Sequence, residues 1–367
     1  MTRISKLSRR LTTIWHNFQR IISDPERKSL PQMCWEIFRC SVATRCIAVH
    51  YLTSFLYRRH VHNIFDYVSR KEEKEVQDKI NDPKLADLVT NKLSFVEHFE
   101  RGGFPVPRLL GYNVLDKMYL RSVDGWGVAD LSSPQVLKNS LDHLMASWGI
   151  EEVFLKPMRG SQGSGANRIT RAQLHTQLDI ERLHSAVSKQ SYVFQQVVEQ
   201  HPELSRLNPS ALNTMRIDTF RTPGSQAEIL SAFLRVGGKG NFVDNVSAGG
   251  VLVGIHLESG KLKENALNFL HGSQTFGIFK ANPANGIVFE GFQIPLFDKV
   301  KQTVIQAAGW IPPALVGWDV AVGPSGPVLI EANVLYYGLI SSDIAYGGYR
   351  KNPVYHKVLA YANRRGR

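Results

Sequence analysis

The sequence predicts an α+β chain, with a helical region leading into alternating strands and helices and then a β-rich end. Three observations carry this expectation. Residues 1–88 contain no glycine, and apolar residues recur at three- and four-residue spacing through LTTIWHNFQRII and CWEIFRCSVATRCIAVHYLTSFLY, the period of one helix face. From Asn91 onward, strand-like runs (EEVFLKPM, SYVFQQVVEQ) alternate with a helical one (LDIERLHSAVSK). After Pro202, turns at Thr222–Gly224 and Glu258–Gly260 separate short β-type runs.

Taken in order, the first helix is basic and amphipathic. Arg3, Lys6, Arg9, Arg10 and Arg20 stand beside Leu7, Leu11, Ile14, Trp15, Phe18 and Ile21, so this helix either lies on a membrane or packs on its own domain. RKEEKEVQDKI (Arg70 to Ile80) reads as a solvated helix. NKLSFVEHFERGGFPVPRLLGY reads as a helix closed by Gly102-Gly103, followed by a proline-flanked loop and a strand. A helix is expected over Phe297 to Trp310, and a closing helix in the tail beyond Tyr346. Between them and near the end lies GWDVAVGPSGPVLIEANV, two β-rich runs around a Gly-Pro-Ser-Gly turn, which is a hairpin pattern.

Length and composition bound the function. The 367 residues suffice for two or three domains, and 43% apolar with 21% charged residues is an ordinary globular balance. No run of 18 apolar residues occurs, and the start lacks a signal-peptide core. Three cysteines, Cys34, Cys40 and Cys46, suit neither a disulfide framework nor a zinc site, so a reducing, cytoplasmic compartment is expected. The net charge of +12 points to an anionic membrane surface or an anionic polymer, or serves solubility alone. No helix-turn-helix, zinc-finger or RNP pattern accompanies it, so no nucleic-acid partner is expected.

Five segments carry chemistry. In VFLKPMRGSQGSGANRI a strand delivers Lys156 into a loop with Gly160, Gly163, Gly165 and two serines. Such glycines let successive N–H groups face one anion, and the lysine adds a point charge; a flexible surface hairpin would have the same glycines. YVFQQVVEQHPEL is a strand against which a purine could lie. In LNTMRIDTF, Asn213 and Arg216 interrupt a β-like run, and a guanidinium there suits a transferring phosphoryl group as well as an ordinary surface. Asp244 and Asn245 sit in a glycine-rich loop, either a substrate loop or a wide turn. In the hairpin, Glu331 and Asn333 share a strand face, and Asp319 falls opposite Ile330 or Glu331. Oxygen donors without His or Cys suit a hard cation, Mg²⁺ above all, although a structural salt bridge would also account for them.

The order of these segments resembles the ATP-grasp superfamily. The details (NK before FPVP, KPMRGSQGSGA, HPELSRLNPSALNTMRI, DNVSAGG, GWDVAV…LIEAN) are most similar to its sugar-transfer associated branch, over about residues 90 to 345. The resemblance implies an ATP-grasp fold, two α+β subdomains clasping ATP, with residues 1–88 as a helical N-terminal region. Residues 89–198 would form the N-terminal part with the phosphate-binding loop, and residues 199–367 the C-terminal part with the metal-binding hairpin. It implies that Lys92 and Lys156 reach ATP phosphates, and that residues 159 to 166 (Arg159, Gly160, Ser161, Gly163, Ser164 and Gly165 among them) close over them. Gln196 takes the place of a frequent glutamate, Val198 reads adenine through its backbone, and Glu199 or Glu203 takes the ribose hydroxyls. Arg216 lies near the γ-phosphate, and Asp319, Glu331 and Asn333 hold Mg²⁺.

The resulting expectation is an ATP- and Mg²⁺-dependent carboxylate–amine ligase that forms an amide through an acyl phosphate in the modification of surface polysaccharide. Arg216 and Lys156 would be catalytic, and the substrates would be sugar- or amino-acid-linked, with Asp244, Asn245, Tyr336 and Tyr337 nearby. The alternatives are a kinase-like phosphotransferase and a nucleotide-binding scaffold for polysaccharide assembly. The basic first helix adds an expected peripheral contact with a membrane.

Overall fold

The computed structural model describes residues 19–160, 165–238, 240, 249–268, 276–312, 314–335 and 337–365. Among these, two antiparallel sheets organise the chain.

The N-terminal helices are set by their caps. α1 (Leu30–Thr44) begins where the Ser29 hydroxyl accepts from Gln32 N, and ends where Arg45 turns left-handed at φ 49°. After the short α2 (Val49–Thr53), α3 (Arg70–Ile80) is capped by Ser69, with Glu72 and Glu73 in its first turn and Lys79 in its last, each charge favouring the helix dipole. α4 (Pro83–Thr90) is capped by Asp82, and α5 (Lys92–Arg101) by Asn91, whose side chain accepts from two backbone amides. Residues 54–69, expected to be helical, are turns instead. Their apolar side chains Phe55, Leu56 and Tyr57 are buried. The buried ammonium of Lys28 donates to Leu56 O (2.9 Å), Val61 O (2.7 Å) and Glu36 (2.7 Å). Burial from several sides and satisfied carbonyls replace the helix that the spacing implied.

The six-stranded sheet has the order β3-β2-β1-β6-β4-β5. Its strands are β1 (Leu109–Val114), β2 (Lys117–Ser122), β3 (Gly125–Asp130), β4 (Glu152–Pro157), β5 (Asn167–Thr170) and β6 (Tyr192–Gln196). α6 (Pro134–Trp148) and α8 (Gln177–Val187), with the one-turn α7 (Arg171–Leu174) between them in sequence, cover one face. There Leu137, Leu141 and Leu183 meet Leu110, Val153 and Phe194.

The seven-stranded sheet has the order β11-β10-β9-β8-β7-β12-β13. Its strands are β7 (Met215–Phe220), β8 (Glu228–Val236), β9 (Val251–Ile255), β10 (Leu262–Asn268), β11 (Gly277–Phe279), β12 (Leu315–Gly323) and β13 (Gly326–Asn333). A further short helix, α9 (Pro202–Ser205), precedes β7. One face of this sheet packs on α5 and α10 (Phe297–Gly309), where Phe95, Phe99, Val300 and Val304 surround Trp318. On the other face, N-terminal residues such as Tyr51 and Phe55 meet Phe233 and Leu252. Val68 and Val76 there join Phe220, Leu315 and residues of α11 (Leu339–Tyr346) and α12 (Pro353–Arg365). The expected hairpin and the expected closing helix are both present.

One N-terminal side chain anchors the hairpin. The buried Asn81, just after α3, donates through Nδ2 to Leu315 O (2.5 Å) and Val334 O (2.7 Å). Its Oδ1 accepts from Ala314 N (2.9 Å) and Leu315 N (3.2 Å). It therefore satisfies both hairpin ends at once. Asn81→Ala is expected to lower the unfolding free energy by about 3 kcal/mol, because buried peptide groups lose their partners. Denaturant unfolding of the full chain checks this, and a loss below ~0.5 kcal/mol would show that the anchor is dispensable.

Candidate active site

The site grows from strand register. Asp319 on β12 pairs with Glu331 on β13 and with Arg216 on β7. The turn occupies residues 324 and 325, and a register shift follows Asp319, so that Val320 pairs with Leu329 and Ile330 is the extra residue. Of the two partners expected for Asp319, Glu331 is therefore the one opposite. The bulge also frees Ile330 O, which accepts from Lys156 Nζ at 3.3 Å. Because Trp318, Val320 and Ala332 point into the core with Phe99, alternation turns Asp319, Glu331 and Asn333 to the opposite face.

The buried Asp319 is held by two guanidiniums. Arg216 Nε donates to its Oδ1 at 2.5 Å and Nη2 to Oδ2 at 3.3 Å, while Arg235 Nη2 on β8 also donates to Oδ1. Burial works against the charge on Asp319, but Arg216 and Arg235 outweigh it and hold the carboxyl well below the usual range. Glu331 has no such clamp. Burial and the neighbouring Asp319 raise its pKa, against the pull of Lys92 and Lys156. Asn333 Nδ2 lies 3.4 Å from Glu331 Oε1. Tyr337 stacks its ring 5.6 Å from the Arg216 guanidinium. Gly317 leaves room for that ring, since a Cβ there would meet it at 2.6 Å and Asp218 Oδ1 at 3.1 Å.

A cleft of about 890 Å³ opens in front of these groups. Lys92, Lys156, Arg159, Gly160, Gln196, Val198 and Glu199 line it together with Arg235, Asp319 and Glu331. Lys92 Nζ donates to Gly160 O at 2.8 Å, tying α5 to the loop after β4. Burial lowers the Lys92 pKa and pushes that of Lys156 down to about 8, in each case against the pull of Glu331. Arg159 forms a two-pronged pair with Asp87 at 2.5 and 3.0 Å on the exposed rim. Gly165 adopts φ +76°, a conformation that suits glycine. Ser161, Gly163, Ser164, Asp244, Asn245 and Tyr336 lie outside the described residues.

Of the residues expected at the site, Gly165, Glu203, Arg216 and Asn333 stand apart from the lining, as does Tyr337. Glu203 is paired with Arg206 at 2.7 Å, leaving Glu199 as the carboxylate that faces the cleft. Arg216 is buried behind Asp319 rather than lining the opening. One residue was not anticipated: Arg235 interrupts the apolar run AFLRV as Arg216 interrupts MRIDTF, and that shared pattern on neighbouring strands is the signal that could have found it.

The donor set fits a hard divalent cation carried by an anionic ligand. Glu331, Asp319 and Asn333 offer oxygen only. Among the described residues no group of three His, Cys, Asp or Glu side chains gathers that could hold a metal, so a cation here would depend on the Asn333 amide and on the ligand's own oxygens. Lys92, Lys156, Arg216 and Arg235 supply four cations against two carboxylates, a surplus that suits a polyphosphate.

The sugar-transfer associated ATP-grasp family matches residues 71–352. The chain belongs to this family. Similar solved structures include the ATP-grasp ligase PsnB complexed with a precursor peptide and AMPPNP (15% identity, TM-score 0.42, 77% of this chain and 62% of that one). D-alanyl-alanine synthetase A from Vibrio cholerae O1 biovar eltor is another (13%, 0.45, 76% and 66%), and L-amino acid ligase from Bacillus licheniformis a third (13%, 0.38, 72% and 44%). The chain thus spans about six-tenths of the length of PsnB. No curated protein matches it.

The position of Lys156 in this ATP-grasp chain gives a pH dependence. Below pH about 8 the lysine is an ammonium in the folded chain, and above it the buried amine is neutral. ATP affinity is therefore expected to fall as pH rises from 7 to 9, and Lys156→Met to flatten the profile; parallel profiles for the two proteins would separate Lys156 from the effect. The unfolded chain keeps its lysine proton to higher pH, so this one group makes stability rise with pH between about 8 and the ordinary lysine range.

Proposed function

We propose that the protein is an ATP-dependent carboxylate–amine ligase acting on sugar- or amino-acid-linked substrates in surface-polysaccharide modification. The observation that carries this reading is the meeting of Asp319 and Glu331 with Lys92, Lys156 and Arg235 at one cleft, with Arg216 bonded to Asp319 from behind. A substrate carboxylate attacks the γ-phosphorus and the β–γ bridging bond breaks, giving an acyl phosphate and ADP. An amine then attacks the acyl carbon, inorganic phosphate leaves, and the amine nitrogen loses its proton as the amide forms.

Each residue has a part in this scheme. Lys92 and Lys156 bind and orient the phosphates, and residues 159–166 exclude water from the acyl phosphate. The backbone at Val198, with Gln196 beside it, receives the adenine, and Glu199 the ribose. Glu331, Asn333 and Asp319 would hold Mg²⁺, which neutralises charge on the transferring group. Arg216 acts from behind Asp319, positioning that carboxylate by its two-pronged contact and adding positive charge beneath the phosphate site. Among the described residues no helix is long and apolar enough to cross a membrane; the basic opening segment, Arg3 to Arg20, is proposed as a peripheral membrane contact.

Glu331 offers the cleaner test of the cation site, since removing Asp319 would strand two guanidiniums and destabilise the fold. Glu331→Ala is expected to leave the protein folded and to cost at least ~3 kcal/mol in turnover, on the order of 100-fold. Near-normal Mg²⁺-dependent turnover in that variant would make the hairpin purely structural. Product analysis separates the chemistry, because amide and ADP should appear only with both co-substrates present. A phosphorylated product from one co-substrate alone would overturn the ligase assignment.

For the phosphate contacts, Lys156→Ala is expected to weaken ATP binding by roughly 1.5–3 kcal/mol. Lys156→Arg should be impaired as well, because a planar fork does not fill the place of a compact ammonium. Calorimetry giving one affinity for all three proteins would take Lys156 out of the site.

A further inference from the structure

α1 carries two apolar stripes on opposite sides. At about 100° per residue, Met33, Ile37 and Cys40 fall together and pack into the N-terminal core. Trp35, Phe38 and Val42 fall on the far side and are 59%, 58% and 61% exposed. Trp35 and Phe38 stack on each other, with centroids 5.7 Å apart and planes 22° from parallel. Beyond the left-handed turn at Arg45, Ile47 is a further exposed apolar side chain, at 82%. A surface helix normally presents polar residues on the side away from its core, and large aromatic side chains clustered in the open mark an interaction surface.

Charge identifies the occupant. The helix has one acidic residue, Glu36, and it is turned inward to Lys28 and Tyr51, 2.7 Å from each. Arg39 and Arg45 stand exposed beside the stripe, and Arg39 rests its guanidinium 4.9 Å from the Phe65 ring. Residues 19–62 hold seven lysines and arginines against three carboxylates, and residues 1–18 add four more cations and no carboxylate. An apolar stripe rich in Trp and Phe with flanking arginines is the chemistry of a helix lying in the boundary of an anionic bilayer.

We infer that the Trp35–Phe38–Val42–Ile47 face docks this protein flat on an anionic membrane. This surface is distinct from the opening segment proposed above, and none of its residues lines the nucleotide cleft. The assignment therefore stands or falls apart from the ligase reading.

Flotation of the full chain with phosphatidylcholine vesicles, with and without phosphatidylglycerol, tests it. The protein should float with the anionic vesicles at low salt and not with phosphatidylcholine alone. Trp35→Ser combined with Phe38→Ser should reduce the bound fraction at limiting lipid at least ten-fold, while thermal melting and ATP binding stay as in the parent. Trp35→Phe should retain binding but lose most of the quenching of tryptophan emission by brominated lipid. Equal flotation of the parent and the double variant would overturn the proposal and leave membrane binding to the opening segment. A parent that ignores anionic vesicles but self-associates through Trp35 and Phe38 would overturn it in favour of a second copy of the chain.

Discussion

Everything at the cleft depends on the register of three neighbouring strands, which sets a buried carboxylate between two arginines. Asp319 is only 3% exposed, and an isolated charge there would be costly. Arg216 and Arg235 supply the compensation and are themselves fixed by it. A slip of one residue would send Asp319 into the Trp318 core. The bulge at Ile330 then places Glu331 beside Asp319 while freeing a carbonyl for Lys156. Strand geometry thus brings the two sheets together at one polar point before any ligand is considered.

The two carboxylates, although adjacent, have opposite electrostatics. Asp319 is neutralised by its own strand neighbours, whereas Glu331 depends on lysines that reach it from elsewhere in the chain: Lys92 on α5 and Lys156 on the other sheet. Both lysines lose pKa to burial and regain some of it from Glu331. A polyphosphate with a divalent cation would relieve both sides, giving Glu331 a cation and the lysines an anion. Glu331 and the two lysines thus offset one another's burial only in part, unlike the fully paired Asp319.

Much of this could be read in the sequence because it is local. The GPSG turn fixed which residues of the hairpin could face one another, and the glycine density after Lys156 marked a loop between two strands. The choice between Ile330 and Glu331 opposite Asp319 could not be made, because a β-bulge leaves no composition signal when the extra residue is an ordinary isoleucine. Arg235 escaped for a different reason: its strand lies 84 residues from Asp319, and only sheet order brings the two together. The turns at residues 54–69 mimic helical spacing because their apolar side chains are buried from several directions, a tertiary effect that periodicity does not register. Of the two readings of the hairpin, the salt bridge is present at Asp319, which pairs with both arginines, while the metal-ligand reading is the proposal made above for Glu331, Asn333 and Asp319.

The residues ahead of α3 have a bearing on how this protein can be divided. The family resemblance begins at residue 71, one residue into α3, which would make the preceding region look like an addition to a self-sufficient enzyme. Yet residues ahead of this border are hydrogen-bonded into the far end of the chain: Asn63 donates to Gly347 O, Val68 N to Asp343, and Arg350 N to Asp66 O. Tyr51 and Phe55 complete the core on the same side of the sheet. The border along which relatives align is therefore not a seam in the molecule. A chain cut at residue 71 would leave Asp343, Gly347 and Arg350 without these partners and would uncover Phe233 and Leu252 on the sheet.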